Sequence, residues 1–416
     1  MAAADESRIP NPESRIPNPD SRIPNLLRDR GPLTVAAFMD LALYDPELGY
    51  YARAARRSGR AGDFFTSVDV GPLFGRLLEI QLAEMAAILE ASESPESPES
   101  RIPNPESRIP NPESHFDLVE AGAGNGRLSA DMLRAACRRD PAFYESLRLH
   151  LVEASAEARL AQPDALGELG DRLSSSGASL PASFEGVLVA NELLDAFPVH
   201  QVVMRDDGLR EVYVDSATRG LILREGPLST PALATYLDRL GVTLEPGWRV
   251  EINLRAVDWI REAARRLRRG FIILIDYGHE ARELYSATHS AGTLTTYAAH
   301  QSTGPESSTP APNWLQRAGD QDITSHVDFT SVRTAAEAAG LTTIGYLDQT
   351  YFLLGLLAGG RESFAESAIA DFANDSRPLK TLLMPGGLGS THKVLILGKG
   401  VGTPALRGCS FRMRVT

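Results

Sequence analysis

A run of small residues, Glu120-Ala-Gly-Ala-Gly-Asn-Gly126, follows the apolar stretch that begins at Phe116. A strand that ends in an acid and enters a glycine turn lets the backbone approach a ligand without Cβ interference, and a nucleotide-like group fits there. The dinucleotide fingerprint would place its third glycine at position 127, but Arg127 stands there and the third glycine is Gly126. That spacing favours S-adenosylmethionine over a dinucleotide. The turn of Gly122, Gly124 and Gly126 would pass under the amino-acid part of that cofactor, which has no pyrophosphate to cradle, with Glu120 near its ammonium end. An ordinary strand-to-helix turn is the structural alternative.

Three further strand ends offer acids. Glu153 closes the next strand, Leu149 to Glu153, where a carboxylate can accept hydrogen bonds from both ribose hydroxyls of an adenosine. Asn191-Glu-Leu-Leu-Asp195 follows the strand Gly186 to Ala190 and brings three polar side chains to the same sheet edge. Asn191, nearest the strand, is assigned to the cofactor, and Glu192 and Asp195 to a methyl acceptor. Methylation of a nucleobase amino group usually comes with Asn or Asp, two prolines and an aromatic at this point, and Asn191-Glu-Leu-Leu does not fit. Paired carboxylates suit a guanidinium, which they can hold bidentately; the alternative is that both cap a following helix or hold the loop. Asp276-Tyr-Gly-His279 ends the Phe271 strand, adding a third acid and a histidine able to accept a proton near neutral pH.

These residues need a scaffold that brings strand ends together. From His115 onward apolar strand runs alternate with amphipathic stretches, the pattern of a parallel sheet covered by helices on both faces. Strands are expected at Phe116 to Glu120, Leu149 to Glu153, Gly186 to Ala190, Phe271 to Asp276, Leu341 to Leu347 and Val394 to Leu397. Ligands of such sheets bind beyond the carboxyl ends of the strands. Residues 26–91 read as an N-terminal helical cap. Residues 199–250, with three short strand-like pieces and a helix near Pro231 to Leu240, read as an inserted substrate-side subdomain of a methyltransferase domain spanning 115–400. The heptapeptide Glu-Ser-Arg-Ile-Pro-Asn-Pro recurs from Glu6 and Glu13 and again from Glu99 and Glu106. A proline inside a helix costs about 3 kcal/mol, so extended disorder over 1–25 and 92–114 is expected rather than a coiled coil. Gln301 to Pro312 reads as a solvated loop, and 401–416 as a tail.

Composition narrows the partners. A net charge of −12 disfavours a nucleic-acid phosphate backbone, so a protein or small molecule is the expected substrate. The two cysteines, Cys137 and Cys409, match no metal-ligand spacing, and no metal site is expected. The apolar runs Tyr351 to Ala358 and Phe271 to Ile275 are too short for membrane insertion. With no apolar core in the first 25 residues, a cytoplasmic location is expected. Oligomeric state is not legible.

Six motifs in order resemble the MidA-like family of S-adenosylmethionine-dependent methyltransferases: Leu43-Tyr-Asp-Pro-Glu-Leu-Gly-Tyr-Tyr51, Gly62-Asp-Phe-Phe-Thr-Ser67, Val119 to Gly126, Ala190 to Val199, Ile275 to His279 and Gln321 to Phe329. The resemblance runs from about Gly31 to Gly400 and implies a class I methyltransferase: a Rossmann-like, seven-stranded doubly wound sheet. It further implies cofactor binding by Gly122, Gly124 and Glu153. Gly62, Asp63, Phe64, Thr66 and Ser67 would close over the cofactor, and Glu192 and Asp195 would line the acceptor side. The family includes a mitochondrial member that methylates an arginine of a complex I subunit, so a protein arginine, on a respiratory complex subunit or another protein, is the implied acceptor. Glu192, Asp195 and Asp276 are the catalytic candidates. The usual proline between the first two turn glycines is Ala123 here, and both repeat tracts are private to this chain. A non-enzymatic assembly factor that retains the cofactor fold, and a small-molecule methyltransferase with an apolar acceptor pocket, are the competing readings.

Overall fold

The computed structural model describes residues 19–54, 66–91, 115–218, 220–298, 301–303, 312–358, 376–383 and 388–411. Its organising element is a sheet whose long strands bury both faces. The central strands are β1 (Phe116–Ala121), β2 (Leu147–Val152), β3 (Leu173–Gly177), β4 (Phe184–Asn191), β5 (Leu267–His279), β6 (Thr342–Asp348) and β7 (His392–Lys399). Their order is β6-β7-β5-β4-β1-β2-β3. The strands β1 to β5 pair in parallel, whereas β7 runs antiparallel to both β5 and β6, so the sheet is mixed. An eighth strand, Val327–Asp328, pairs in parallel with the last two residues of β5 and makes the sheet one strand larger than expected.

Because successive strand residues point to opposite faces, the apolar side chains sort into two cores. Leu118, Val187, Val189, Ile273, Ile275 and Ile396 pack under the helices Leu73–Ala91 and Arg127–Arg139. Val119, Leu188, Ala190, Ile272, Leu274 and Leu395 pack under Leu254–Arg266 and Phe329–Ala338. The strand order reverses between the parallel neighbours β4 and β1, the switch point beyond whose carboxyl ends the acids emerge.

The inserted segment forms its own antiparallel sheet, Leu33–Thr34, Gly208–Ala217, His200–Arg205 and Arg249–Ile252 in that order, with Gly220–Gly226 paired to Gly208–Ala217. The N-terminal helices do not form one cap. Val35–Tyr44 packs with the inserted sheet through Phe38, Met39, Val212 and Val214, while Leu73–Ala91 belongs to the central layer. The end of the stretch expected to be disordered departs from that expectation: Pro19–Arg30 is helical despite Pro24, because Ile23 and Leu27, one turn apart, are fully buried against that second core. Gln301–Thr303 pairs with Thr295–Ala298 instead of looping out, and 304–311 lie outside the described residues, as do 1–18 and 92–114. The segment expected as a tail is likewise built in. Leu406 is buried in the first core, and the N–H groups of Arg407 and Gly408 donate to Glu84 and Gln81. Among the described residues no helix is long and apolar enough to cross a membrane.

Truncating Ile23 should therefore behave as a core mutation. Ile23→Ala is expected to cost about 2–4 kcal/mol in urea denaturation, whereas a residue in a solvated tail would change stability by less than about 0.5 kcal/mol.

Candidate functional site

At the end of β1 the chain bends through Gly122, Gly124 and Gly126, at φ of 74°, 51° and 81°. Side-chain-bearing residues rarely adopt these angles. Gly122 and Ala123 donate to the Val152 carbonyl at 2.9 and 3.1 Å, which locks the bend to the tip of β2. A Cβ at Gly124 would meet no atom within 4 Å, so the bend borders open space. Glu153 stands beside it: one carboxylate oxygen accepts from Gly124 N at 2.8 Å and the other from Ser155 N at 2.7 Å. Gln162, fully buried, donates to the Gly124 carbonyl at 2.9 Å. Glu120 faces the opposite way from the sequence expectation. Its position in β1 points it under Arg127–Arg139, where it accepts from the N–H (3.1 Å) and hydroxyl of Ser129. Burial raises its pKa to about 7, against the lowering effect of the Ser129 bonds. Glu120 thus ties the bend to the helix that follows it.

Across the opening, β4 delivers Asn191 and then Glu192, whose φ of 50° makes it the one non-glycine at positive φ among the described residues. No helix follows this loop, so Glu192 and Asp195 are not helix caps. The loop is held instead by Asp276, at the end of β5. One of its oxygens accepts from Leu193 N and Leu194 N at 3.1 and 2.8 Å, and the other from its own neighbour Tyr277 N at 2.9 Å. Asp276, expected among the catalytic acids, is thereby a positioning residue; burial raises its pKa to about 7, assisted by the charge of Glu192. Burial, then the nearby Asp276, Glu192 and Asp322, push Asp195 well above the usual carboxylate range. Four buried oxygens of this edge have no hydrogen-bond partner: Asn191 Oδ1, Glu192 Oε2, Asp195 Oδ1 and Ser325 Oγ. Ser325 is held to the loop by its own N–H, which donates to the Asp195 carbonyl at 3.0 Å.

The segment Thr66 to Asp69 joins both halves. Asp69 pairs with Arg127 at 2.6 Å beside the bend, while Ser67 N donates to Glu192 Oε1 at 3.3 Å. Thr66 closes a turn onto Asp69, and Gly62, Asp63 and Phe64 lie outside the described residues. Several neighbours carried no signal in spacing alone. Tyr44 donates to the Ala196 carbonyl at 3.0 Å and Tyr51 to Asp322 at 2.9 Å, their rings 5.3 Å apart, so the first motif packs against the loop after β4. The buried Nε2 of His392 lies 3.4 Å from Glu192 Oε1. His392 Nδ1 contacts the Leu388 carbonyl at 2.8 Å and must carry a hydrogen there. A favourable contact with Glu192 then requires a proton on Nε2 or on the carboxyl.

A mixed, doubly wound sheet with a glycine bend between two acid-tipped strands defines a nucleoside-binding α/β enzyme of the S-adenosylmethionine-dependent methyltransferase class. The family model described as "Putative S-adenosyl-L-methionine-dependent methyltransferase" matches residues 107–347, more than half of the chain, and the chain belongs to that family. The mouse (Mus musculus) protein arginine methyltransferase NDUFAF7, mitochondrial, is 28% identical over 354 residues, covering 79% of this chain and 71% of its own. The Drosophila melanogaster homolog is 27% identical over 409 residues, 89% of this chain and 82% of its own. A Burkholderia thailandensis protein solved with bound S-adenosyl-homocysteine superposes with a TM-score of 0.75 at 27% identity, covering 97% of each chain. S-Adenosylmethionine is the cofactor of this fold.

If the open side of Gly124 is where the cofactor lies, Gly124→Ala should fold yet lose at least about tenfold in S-adenosylhomocysteine affinity by calorimetry, a difference of about 1.4 kcal/mol. Equal affinities would remove the bend from the cofactor site. The buried Glu120 makes a separate prediction. A carboxyl raised to about 7 keeps its proton in the folded state while the unfolded chain ionises from its model value of 4.5. The folded state therefore binds more protons in that window, and stability falls as pH rises through about 7. Glu120→Gln should gain on the wild type by on the order of 3 kcal/mol between pH 4.5 and pH 8 in urea denaturation. A stability difference independent of pH would contradict the burial of this group.

Proposed function

We propose that this methyltransferase modifies a protein arginine side chain. The observation that carries the reading is the set of four buried, unpartnered oxygens at this sheet edge, from Asn191 at the end of β4, Glu192 and Asp195 in the loop after it, and Ser325 bonded to that loop. Each buried acceptor left unsatisfied costs about 1–3 kcal/mol, so a ligand bringing several N–H donors and no acceptor would be favoured there. A guanidinium, with five donors in a planar fork, has that character. An apolar small-molecule acceptor would leave the oxygens unmet. The arginine methyltransferase names of the mouse and fly relatives support the same reading.

The bend at Gly122 and Gly124 would hold the amino-acid part of the cofactor, and Glu153 its ribose hydroxyls. Thr66 and Ser67, latched by Asp69 to Arg127, would cover it, with Asn191 at the junction. When bound, S-adenosylmethionine supplies an electrophilic methyl group on a sulfonium. Glu192 and Asp195 would orient the acceptor guanidinium, and its nitrogen would lose a proton as the N–C bond forms and the S–C bond breaks, leaving S-adenosylhomocysteine as the thioether product. Glu192 Oε2 is the first acceptor for that proton, and the His392 contact on Oε1 sets the carboxyl's orientation. Asp276 keeps both acids in place through the loop amides.

Labelled S-adenosylmethionine, incubated with the protein and a lysate of cells lacking it, should place label on arginine-containing peptides read by mass spectrometry. Glu192→Gln and Asp195→Asn should each lower the rate by roughly 100-fold while retaining S-adenosylhomocysteine binding. Label on a small molecule, on lysine, or nowhere would overturn the arginine assignment.

A further inference from the structure

Past Asp276, the end of β5 enters a second group of side chains that the methyl-transfer site does not use. His279 closes the strand, His289 ends the short turn Ala287–His289, and His326 precedes the strand Val327–Asp328. One ring nitrogen from each lies within 4.8 Å of those of the other two, and the ring centroids are 4.9, 5.2 and 5.8 Å apart. All three are half-buried. Three imidazoles from three segments meeting at that distance is a ligand constellation. Each neutral ring offers one lone pair, and imidazole nitrogen suits zinc and its neighbours in the first transition row.

The surroundings fix the rings. Gly278 pairs with Val327 in parallel register, and a Cβ there would collide with the Val327 carbonyl, so the glycine is what lets the strands carrying His279 and His326 approach. The N–H of His326 donates to Thr293 Oγ1 at 3.1 Å, and that hydroxyl donates at 3.0 Å to the buried Glu251. His289 Nδ1 contacts the Glu283 carbonyl at 3.1 Å; because a carbonyl only accepts, that nitrogen carries the hydrogen and Nε2 is left with its lone pair. Glu283 Oε1 lies 3.1 Å from His279 Nδ1, without hydrogen-bond alignment, a carboxylate within reach of a ligand ring. Outer carboxylates and carbonyls of this kind orient metal-bound imidazoles and offset the charge of the ion. The Nδ1 atoms of His279 and His326 are buried without hydrogen-bond partners.

We propose that His279, His289 and His326 bind one zinc-like divalent ion through three imidazole nitrogens, leaving a fourth tetrahedral position to water. Tetrahedral zinc with Zn–N bonds of about 2.0–2.1 Å spaces its ligand nitrogens about 3.3 Å apart. The nitrogens, within 4.8 Å of one another, would have to draw closer on binding. The ion would tie the segment bearing Ala281–Leu284 to β5 and to the strand that leads into Phe329–Ala338.

The test uses tag-free, full-length protein stripped with a chelator and titrated with zinc chloride by calorimetry. One equivalent per chain is expected. His289→Ala and His326→Ala should each weaken uptake by at least about tenfold, with S-adenosylhomocysteine binding showing that each variant has folded. The wild type loaded with cobalt(II) should show the visible absorption of a tetrahedral site, a reading that needs no variant. Zinc uptake equal in wild type and both folded variants, or the absence of saturable uptake and of the cobalt spectrum, would overturn the proposal.

Discussion

The structure depends on placing carboxylates at the dry carboxyl edge of a sheet and neutralising each with backbone N–H groups of the loop it must hold. Asp276 takes the amides of Leu193 and Leu194, Glu153 those of Gly124 and Ser155, Glu120 that of Ser129, and Asp328 those of Thr330 and Ser331. A buried carboxylate lacking such donors would cost several kcal/mol. Its demand for donors therefore dictates loop conformation as strictly as packing dictates the core. The same mechanism accounts for the raised pKa values of Glu120 and Asp276, since amide bonds only partly offset burial.

Against that background the loop Asn191 to Asp195 stands out, because its acids are only half satisfied: Ser67 N donates to Glu192 Oε1, but one oxygen of each acid is left without a donor. Glu192 sits in a backbone region that costs on the order of 1–3 kcal/mol for a residue with a side chain, and Glu192 Oε2 and Asp195 Oδ1 have no donor. Strain and unmet acceptors persist only where the surroundings enforce them. Asp276 from below, Ser67 from the side and Ser325 from the far edge supply that enforcement. The loop is preorganised toward donors that the chain does not itself provide.

Much of the scaffold was legible because the strands bury both faces and read as apolar runs: β1, β4, β5 and β7 fall where the sequence places them. The strand β3 was not, since Leu173-Ser-Ser-Ser-Gly177 lies at the sheet edge with three exposed serines and presents no apolar face to detect. The helix Pro19–Arg30 was hidden by its prolines, whose local penalty is outweighed by the burial of Ile23 and Leu27. At the site, the glycine bend and the acids were legible because motif and chemistry coincide there. The directions of Glu120 and Asp276 were not: the pleat sets the face each takes, and a strand buried on both faces gives no alternation of apolar and polar residues from which to read it. His392 and Gln349 come from elements remote in sequence and meet Glu192 and Ser67 only through tertiary packing.

The inserted sheet and the first helices answer a different requirement. A sheet edge lined with acids is exposed to water unless something walls it, and water would satisfy the unmet oxygens and screen their field. The strand Leu33–Thr34 pairs with Gly208–Ala217, which draws the following helix Val35–Tyr44 onto the insertion. Tyr44, the last residue of that helix, thereby reaches the Ala196 carbonyl, and Tyr51 reaches Asp322. Both phenols are half-buried, and desolvation raises their pKa values, so they remain neutral donors rather than adding charge. Each donates its proton to an acceptor other than the four open oxygens, so the wall excludes solvent without filling the positions a substrate would use. The N-terminal segment and the insertion, far apart in sequence, are thus one structural device, and neither could shield the acceptor loop without the other.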